Sequence, residues 1–412
     1  MITAGIVVEY NPLHNGHVHH LAETKAASGA DAVVAVMSGH FLQRGEPAIV
    51  NKWARTEMAL RMGVDLVLEL PVAYSVQPAE WFAFGAVSAL HNTGIVDVLC
   101  FGSESGRIGW MLELAKTLKH EPEALKRALK QQMKAGKNYP AAFTAAVAEI
   151  APDIPAEWLA QPNNTLGLHY LIALERLNSG IRPMTIPRIK AAYNQDTVSD
   201  SRIASATALR RKIEQAGRAL PPELSSFVPP VSFDILRREF QEGRGPVSWE
   251  DFALPLFHRL WTLSPEELAE YQEVNEGLEY RFHSTIRSLE YEYSPGVEQL
   301  LTLLKTRRYT RTKLQRALVH ILLNHRKPRL NPGVLSRGTP YLRVLGFTSA
   351  GRELLKRMKR TAAVPVITKV AAHRSPMLEL DIRASAVYAL AYRQPSKDQV
   401  LRDYYQSPVR VD

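Results

Sequence analysis

The chain has 412 residues, of which 46% are hydrophobic and 22% are charged, and its formal net charge is +10. These values are typical of a folded protein with a large core and two or three domains, and they exclude a disordered chain. Cys100 is the only cysteine, which excludes an internal disulfide and a cysteine-based zinc site, and no apolar run could cross a bilayer. Because the N-terminus shows no signal-peptide pattern, we expect a cytoplasmic protein.

The first predicted element is a buried parallel strand over residues 5–10, which ends at an Asn-Pro turn. His14, Gly16 and His17 follow, and residues 17–27 are predicted to be helical. Free backbone N–H groups and the helix dipole favour an anion at such a helix start. The two histidines could donate to a phosphate there, and Gly16 would let the ligand approach the backbone closely. The alternative is a helix-capping turn with solvated histidines.

Strands and helices alternate through the first part of the chain. This alternation predicts an α/β fold with an open parallel sheet, in which ligands bind at the carboxyl ends of the strands. Cys100 lies in one of the apolar strands and is predicted to be a small core residue, not a nucleophile. The further predicted strands are 32–37, 66–70 and 96–101, and the helices are 52–62, 79–91, 111–119 and 123–134.

A stretch rich in proline and serine at residues 220–230 has the character of a linker. We therefore predict two domains, an α/β domain over 1–218 and a mainly helical domain over 219–412. The remaining predicted elements are short segments at 184–189 and 199–203 and helices at 205–215, 234–240, 251–262, 265–278, 280–293, 297–305, 312–325 and 352–358.

The positive charge is concentrated near the C-terminus. Residues 301–375 contain 18 lysines and arginines and one acid, Glu353, so the rest of the chain has 33 basic and 40 acidic residues. Solvated helix faces usually mix the two signs of charge. A block with so little acid instead favours binding of a polyanion, and nucleic acid is the polyanion that fits best.

A second phosphate-binding pattern stands at the start of the predicted helix 205–215. Ser205, Thr207 and Arg210 place two hydroxyls and a guanidinium at a helix N-terminus, where they could hold phosphate oxygens. By itself this pattern is also a common capping signature. The polar loop at 38–47, after the second predicted strand, could cover a substrate beside the phosphates.

The sequence His14-Asn15-Gly16-His17 resembles the mark of the nucleotidyltransferase superfamily, as does the helix start at Ser205, although Ala204 and Ala206 replace an isoleucine and a serine of that pattern. Other motifs narrow the resemblance. They are Ser38-Gly-His-Phe-Leu-Gln-Arg-Gly-Glu-Pro, Asp65-Leu-Val-Leu-Glu-Leu-Pro, Phe101-Gly-Ser-Glu, Pro162-Asn-Asn-Thr-Leu-Gly, Arg188-Ile and Lys305-Thr-Arg-Arg-Tyr-Thr-Arg-Thr-Lys-Leu-Gln-Arg. Over nearly its whole length the chain resembles the bacterial tRNA(Met) cytidine acetate ligase family.

This resemblance implies a nucleotidyltransferase-like, Rossmann-like parallel sheet followed by a mainly α-helical domain, and a reaction in two steps. In the first step acetate and ATP would form acetyl-adenylate and pyrophosphate, with Mg²⁺ bridging the phosphates and no metal site on the protein. In the second step the acetyl group would pass to N4 of the wobble cytidine of elongator tRNA(Met). His14 and His17 would be catalytic, and Ser205, Arg210 and Lys52 would hold the β- and γ-phosphates.

The resemblance also implies two sets of binding residues. The ATP contacts would be Val7, Val8, Glu9, Tyr10, Asn11, Pro12, Leu13, His14, Asn15, Gly16, His17, Gly102, Asn163, Asn164, Arg188, Ile189, Ser205, Thr207 and Arg210. The tRNA contacts would be Lys305, Arg307, Arg308, Tyr309, Arg311, Lys313, Arg316, Arg352, Lys356 and Arg357, with Lys359 and Arg360 beside them. Tyr309 would stack on a splayed anticodon base.

Two other functions stay open from the residues alone. An adenylyltransferase acting on a small phosphate-bearing molecule would explain the histidine motif and Arg210, but it would leave the basic block without a use. A non-catalytic RNA-binding protein that senses ATP would explain the basic block, but it would not need the paired histidines.

Overall fold

The computed structural model describes residues 1–188, 204–289 and 296–412. The strands in these residues are β1 (Thr3–Val8), β2 (Ala32–Ser38), β3 (Leu66–Leu70), β4 (Val98–Ser103), β5 (Arg182–Pro187), β6 (Leu342–Phe347), β7 (Val366–Ile367) and β8 (Val409–Arg410). Ile189, the predicted short segment at 199–203 and the end of the predicted helix at 280–293 lie outside the described residues.

Within the described ranges all eight strands belong to one sheet, in the order β5-β4-β1-β2-β3-β6-β7, with β8 also paired to β6. Strands β1 to β5 are parallel, as the alternating pattern predicts. Their carboxyl ends therefore meet at one edge, which we call the carboxyl edge, and the opposite edge is the amino edge. Strand β6 runs antiparallel to β3.

Helices connect these strands and cover both faces. In the first part of the chain they are α1 (Asn15–Ser28), α2 (Lys52–Arg61), α3 (Val72–Ser75), α4 (Ala79–Thr93), α5 (Gly109–Leu118), α6 (Glu123–Lys134), α7 (Tyr139–Ile150), α8 (Ala156–Leu159), α9 (Pro162–Arg176) and α10 (Ala206–Gln215). Later helices are α11 (Pro230–Gln241), α12 (Ala253–Thr262), α13 (Pro265–Ala269), α14 (Leu278–Arg287), α15 (Val297–Leu304) and α16 (Arg311–Leu322). The last are α17 (Lys327–Leu330), α18 (Pro332–Leu335), α19 (Ser349–Thr361), α20 (Pro376–Ala389), α21 (Lys397–Val400) and α22 (Arg402–Tyr405).

The side chains of β1 alternate between the two faces of the sheet, as strand geometry requires. Ile6 and Val8 pack into a core with α1, α2, α10 and α11, which we call the α1 face. Val7 packs into the larger core on the other side, with α4, α5 and α9, which we call the α9 face. The predicted core residue Cys100 is buried, and burial raises the pKa of its thiol.

The second half of the chain is mainly helical, but it also extends the sheet through β6, β7 and β8. Four buried charges join β6 to the first half. Lys52 Nζ lies 2.8 Å from Glu69 Oε1 and 3.1 Å from Asp403 Oδ2, and Arg343 Nη1 lies 3.0 Å from a carboxylate oxygen of each of these acids. Buried charges are tolerated when they are paired in this way.

The predicted helix at 265–278 is wrong in its length. Helix α13 ends at Ala269, and the next helix begins only at Leu278. Between them Glu273, Glu276 and Gly277 have positive φ values of 65°, 61° and 86°, which end the helical path and form a turn carrying two acids. Within the described residues no helix combines the length and apolar character needed to span a membrane.

Candidate active site

A cavity of about 1440 Å³ opens at the carboxyl edge. The ends of β1, β4 and β5 and the N-termini of α1 and α10 form one part of its wall, and α7, α9 and α16 contribute the other. Small-molecule sites commonly measure about 300–1,000 Å³. The cavity therefore has room for more than one small ligand.

His14 and His17, which we call the histidine pair, lie at the start of α1. The His14 Nδ1 atom accepts a hydrogen bond from the Gly16 N–H at 3.1 Å, and the His17 Nδ1 atom accepts one from the His14 N–H at 3.3 Å. The two rings stack with their centroids 3.8 Å apart. Because both Nδ1 atoms accept, each neutral ring carries its proton on Nε2. The pair therefore has two Nε2–H donors left for a ligand in the cavity.

Burial keeps the histidine pair neutral. Desolvation and the neighbouring Arg188 and Arg210 lower the pKa of His14 to about 4. Burial, with the nearby His14, lowers the pKa of His17 well below its ordinary value. At neutral pH both rings are hydrogen-bond donors without charge, held in place by the backbone of α1. Fixed donors at a helix N-terminus are suited to an oxyanion such as a phosphate.

Arg210 approaches the same place from α10. Ser205 caps that helix, since its hydroxyl accepts from the Ala208 N–H at 3.1 Å, as the sequence pattern predicts. The Arg210 guanidinium donates to the Asn11 carbonyl at 2.9 Å and to the Glu46 carboxylate at 2.8 Å. Glu46 therefore positions the guanidinium beside the turn that leaves β1. Ser205, Thr207 and Arg210 all line the cavity.

Gly102 marks the end of the cavity near β4 and β5. A Cβ atom at this residue would lie 3.1 Å from the Arg188 side chain and 3.9 Å from His20, so glycine leaves space that a larger residue would fill. The Arg188 guanidinium donates to the Asn163 Oδ1 atom at 3.2 Å. Glu104 in turn accepts from the Asn163 side chain at 2.6 Å. Arg188, Asn163 and Glu104 thus form a chain of hydrogen bonds beside Gly102, where β4 and β5 end.

Comparison with known proteins identifies the family. Residues 1–403 match the family described as HIGH Nucleotidyl Transferase. The chain is 43% identical to the tRNA(Met) cytidine acetate ligase of Caldicellulosiruptor saccharolyticus, covering 100% of this chain and 99% of that protein. It is 41% identical to the protein of the same name from Halalkalibacterium halodurans, covering 100% and 98%. The chain belongs to the tRNA(Met) cytidine acetate ligase family.

Two solved structures support the assignment of the chain to this family. Thermotoga maritima TmcAL bound with alpha-thio ATP matches with a TM-score of 0.89 and 33% identity, covering 100% of both chains. The apo form of that protein matches with a TM-score of 0.90 and 34% identity, again over 100% of both chains. The α/β nucleotidyltransferase-like fold and the family predicted from the sequence are thus confirmed.

Most residues predicted to contact ATP lie at the cavity of the ligase. Those that line it are Val7, Val8, Glu9, Tyr10, Asn11, His14, Gly16, His17, Gly102, Asn163, Arg188, Ser205, Thr207 and Arg210. The predicted residues Pro12, Leu13, Asn15 and Asn164 are not part of that lining. Asn164 is fully buried, and its side chain already bonds to Ser105, Trp158 and Gln161, so of the two neighbouring asparagines only Asn163 is available to a ligand.

The phosphate role predicted for Lys52 is wrong. Lys52 is fully buried and does not line the cavity, because its ammonium group is enclosed by Glu69, Asp403 and Ser385. A lysine that follows a polar loop is a reasonable candidate in sequence. Its acidic partners are distant in the chain, so the sequence gives no sign that they neutralise it.

The basic run at 305–316 is only partly free. Arg308 and Lys313 lie 3.6 and 2.7 Å from the Glu276 carboxylate, and Arg316 lies 3.1 Å from Glu273. These three bases, which we call the carboxyl-edge cluster, line the cavity together with both acids. Arg311 pairs with Glu298 on α15, at the outer side of the run. Lys305 and Arg307 are exposed.

The stacking role predicted for Tyr309 is contradicted by its surroundings. Its side chain is 8% exposed, packs in the hydrophobic core, and donates from its hydroxyl to the Glu276 carbonyl at 2.5 Å. A base could reach this ring only after the ring left the core. Tyr309 instead stabilises the loop that presents its basic neighbours.

The second basic group lies at the opposite edge of the sheet. Helix α19 starts beside β3, where the Thr348 N–H donates to the Asp65 carbonyl at 2.9 Å. It ends beside the last turn of α4, where the Thr361 hydroxyl donates to the Thr93 carbonyl at 2.9 Å. Both contacts are at the amino edge. We call Arg352, Lys356, Arg357, Lys359 and Arg360 on this helix the amino-edge cluster.

Sequence reasoning missed several residues that shape the site. His20 lies one turn after His17 on α1 and lines the cavity, and its spacing alone could have suggested it. Glu46 lies within the polar loop at 38–47, and Leu42, Gln43 and Arg44 of that loop also line the cavity. No local pattern marks Glu273 or Glu276 as partners of the basic run, because Glu276 precedes its partner Lys313 by 37 residues and Glu273 precedes its partner Arg316 by 43.

Proposed function

We propose that the chain activates acetate with ATP and transfers the acetyl group to N4 of the wobble cytidine of elongator tRNA(Met). The observation that carries this proposal is the histidine pair, whose two Nε2–H donors face a cavity at a helix N-terminus. The names of the relatives, and the ATP analogue bound to the Thermotoga maritima protein, support it.

In the first step an acetate oxygen attacks the α-phosphorus of ATP, and pyrophosphate leaves. The histidine pair donates to oxygens of the α-phosphate as their negative charge grows. Arg210, Ser205 and Thr207 hold the β- and γ-phosphates, and Gly102, Asn163 and Arg188 border the adenosine. This chemistry depends on alignment and on charge stabilisation more than on covalent help from the protein.

We propose that ATP enters as its Mg²⁺ complex. Within the described residues no group of three or more His, Cys, Asp or Glu side chains could hold a metal ion. Mg²⁺ in such sites is commonly bound by substrate phosphates and water, with few protein ligands.

In the second step the carboxyl-edge cluster and the exposed Lys305 and Arg307 would attract the phosphate backbone of the anticodon arm. Their position on the far side of the cavity supports this proposal. The amino-edge cluster would contact a more distant part of the same tRNA. The acceptor base must leave its stack to reach the cavity, as in other enzymes that modify bases.

The test is to incubate the protein with ATP, labelled acetate and total bacterial tRNA, and to digest the tRNA to nucleosides. We expect labelled N4-acetylcytidine, and none with His17→Ala. Pyrophosphate release without label in RNA would instead indicate a small-molecule adenylyltransferase. An absence of pyrophosphate release would indicate a protein that binds ATP and RNA without catalysis.

A further inference from the structure

One part of the cavity is not used by the nucleotide contacts proposed above. It lies on the α9 face and is lined by Glu9, Tyr139, Phe143, His169 and Tyr170, which we call the acceptor chamber. Gly102 and Arg188, which we propose border the adenosine, lie close to His20 of α1. The carboxyl end of β1 lies between these two parts of the cavity.

Glu9 belongs to the acceptor chamber and not to the phosphate side. Glu9 directly follows β1. The Val7 side chain packs into the core of the α9 face, while Val8 and Tyr10 pack on the α1 face, so the alternation places Glu9 on the α9 face. Its Oε1 atom accepts from the Ser38 hydroxyl at 3.1 Å and from the Gln43 N–H at 2.8 Å. Burial raises the pKa of its carboxyl group, and its carboxylate in turn contributes to the raised pKa of Tyr170.

The wall of the acceptor chamber is aromatic and carries one unsatisfied polar atom. The rings of Phe143 and His169 are 5.2 Å apart between centroids, and Tyr139 extends the row outward from Phe143 at 6.3 Å. His169 is 6% exposed, and its buried Nδ1 atom has no hydrogen-bond partner in the protein. Burial lowers its pKa to about 4, so the ring is neutral. An unpaired buried polar atom is costly, and a hydrogen bond from a bound ligand would satisfy it.

The exposed end of this row of rings, at Tyr139, lies near the loop before α16 that carries Arg307. The Asn138 side chain, directly before Tyr139, donates to the Arg307 carbonyl at 3.3 Å. A nucleotide whose phosphate lies against Arg307 or Arg308 could therefore extend its base towards Tyr139. Aromatic side chains are the usual partners of bases that have left a stack.

We propose that the acceptor chamber binds the flipped cytosine, with Phe143 and Tyr139 stacking on the base, His169 bonding to its polar edge, and Glu9 accepting a proton from its C4 amino group. This inference rests on the proposed function. The amino nitrogen forms a bond to the acetyl carbonyl carbon, the bond from that carbon to the phosphate oxygen breaks, and AMP leaves with the electron pair. The nitrogen loses one proton, which Glu9 accepts.

Two half-reactions test the inference separately from the proposed function. Acetate-dependent ATP–pyrophosphate exchange measures the first step, and acetylation of tRNA measures both. We expect Phe143→Leu and His169→Leu to lower the ratio of acetylation to exchange by about 10- to 100-fold. For Glu9→Gln we expect the single-turnover rate constant for transfer to fall by about 10²- to 10⁴-fold, and the rate constant for adenylate formation to fall by much less.

A matched control is Phe240→Leu. Phe240 is 9% exposed and Phe143 is 8% exposed, but Phe240 packs on α11, away from the cavity. The control should lose comparable stability and keep the ratio. If Phe143→Leu does not fold, Tyr139→Ala tests the same wall, since Tyr139 is 39% exposed and contributes less to the core.

The outcomes are distinct. Wild-type protein that does not acetylate tRNA overturns the proposed function and this inference with it. Wild-type protein that acetylates tRNA, with ratios unchanged in the Phe143 and His169 variants, overturns the inference alone. A rise in the KM for ATP in those two variants, with the KM for tRNA unchanged, would place the adenine in the chamber and would also overturn it.

Discussion

The two edges of the sheet both carry clustered positive charge, but they differ in what surrounds it. At the carboxyl edge Arg308, Lys313 and Arg316 line a cavity and are paired with acids of the preceding turn. At the amino edge the exposed bases of α19 have one acid among them, Glu353, which pairs with Lys356 at 2.7 Å. This difference shows that a high density of positive charge does not by itself identify an active site. We expect the reaction to take place at the cavity that holds the neutral histidine pair.

The largest expected effect concerns Lys52, which would belong to the carboxyl edge if it held phosphates. In the structure Lys52 is instead one of the four buried charges that join β6 to the first half of the chain. Lys52→Met removes one cation from between Glu69 and Asp403, and we expect it to lower the free energy of unfolding by about 3–5 kcal/mol. Urea denaturation measures this change. If stability stayed within about 0.5 kcal/mol of wild type while pyrophosphate release fell, Lys52 would return to the phosphate site.

A histidine substitution at each edge compares their chemistry directly. His17→Ala removes one donor from the phosphate site, and we expect acetate-dependent ATP–pyrophosphate exchange to fall by about 10²- to 10³-fold. The control is His91→Ala, because His91 lies in the last turn of α4 near the amino edge and bonds to Ser179. Equal losses of exchange in the two variants would remove the distinction between the edges.

The neutrality of the histidine pair predicts a dependence of stability on pH. The pKa of His14 is lowered to about 4 in the folded protein, against about 6.5 when unfolded, so between these values only the unfolded chain binds the proton. The free energy of unfolding therefore falls as the pH is lowered from 6.5 to 4. In His14→Gln we expect this fall to be smaller by up to about 3 kcal/mol. Parallel curves for the two proteins would contradict the assignment.

The smallest expected effect is at the amino edge. Lys356→Ala should raise the KM for tRNA by about 2- to 5-fold and reduce the slope of binding against salt concentration by about one, as expected for loss of one phosphate contact. Pyrophosphate exchange should be unaffected, because α19 is at the edge away from the cavity. An effect on exchange, or no effect on tRNA at any salt concentration, would show that this cluster does not act as a distant tRNA contact.

Much of the α/β part could be predicted from the sequence because its signals are local. The strand predicted at 66–70 coincides with β3 (Leu66–Leu70), and the helix predicted at 123–134 coincides with α6 (Glu123–Lys134). The two turns that we propose bind phosphate lie at the cavity, and the first was visible in the sequence because a strand, a short turn and a capped helix follow one another directly in the chain. Helix capping and strand burial depend on neighbouring residues and so leave a readable pattern.

The parts that were missed depend on distant partners. Strand β6 was not predicted because Arg343 interrupts its apolar run, and only Glu69 and Asp403, far away in the chain, make that charge acceptable in the core. The sequence overestimates the unpaired charge of residues 301–375, because the acids that pair with these bases, Glu273 and Glu276, lie outside that range. Charge counted along a sequence cannot register neutralisation by residues that meet only in the fold.

The most direct test of the account is a crystal structure with a stable acetyl-adenylate analogue, 5′-O-(N-acetylsulfamoyl)adenosine. We expect adenosine on the α1 face beside Gly102 and Arg188, and the sulfamoyl group against the Nε2 atoms of His14 and His17. The acetyl group should be turned towards Glu9, with the acceptor chamber free. Adenine stacked on Phe143 and His169 would contradict the division of the carboxyl edge into a nucleotide side and an acceptor side.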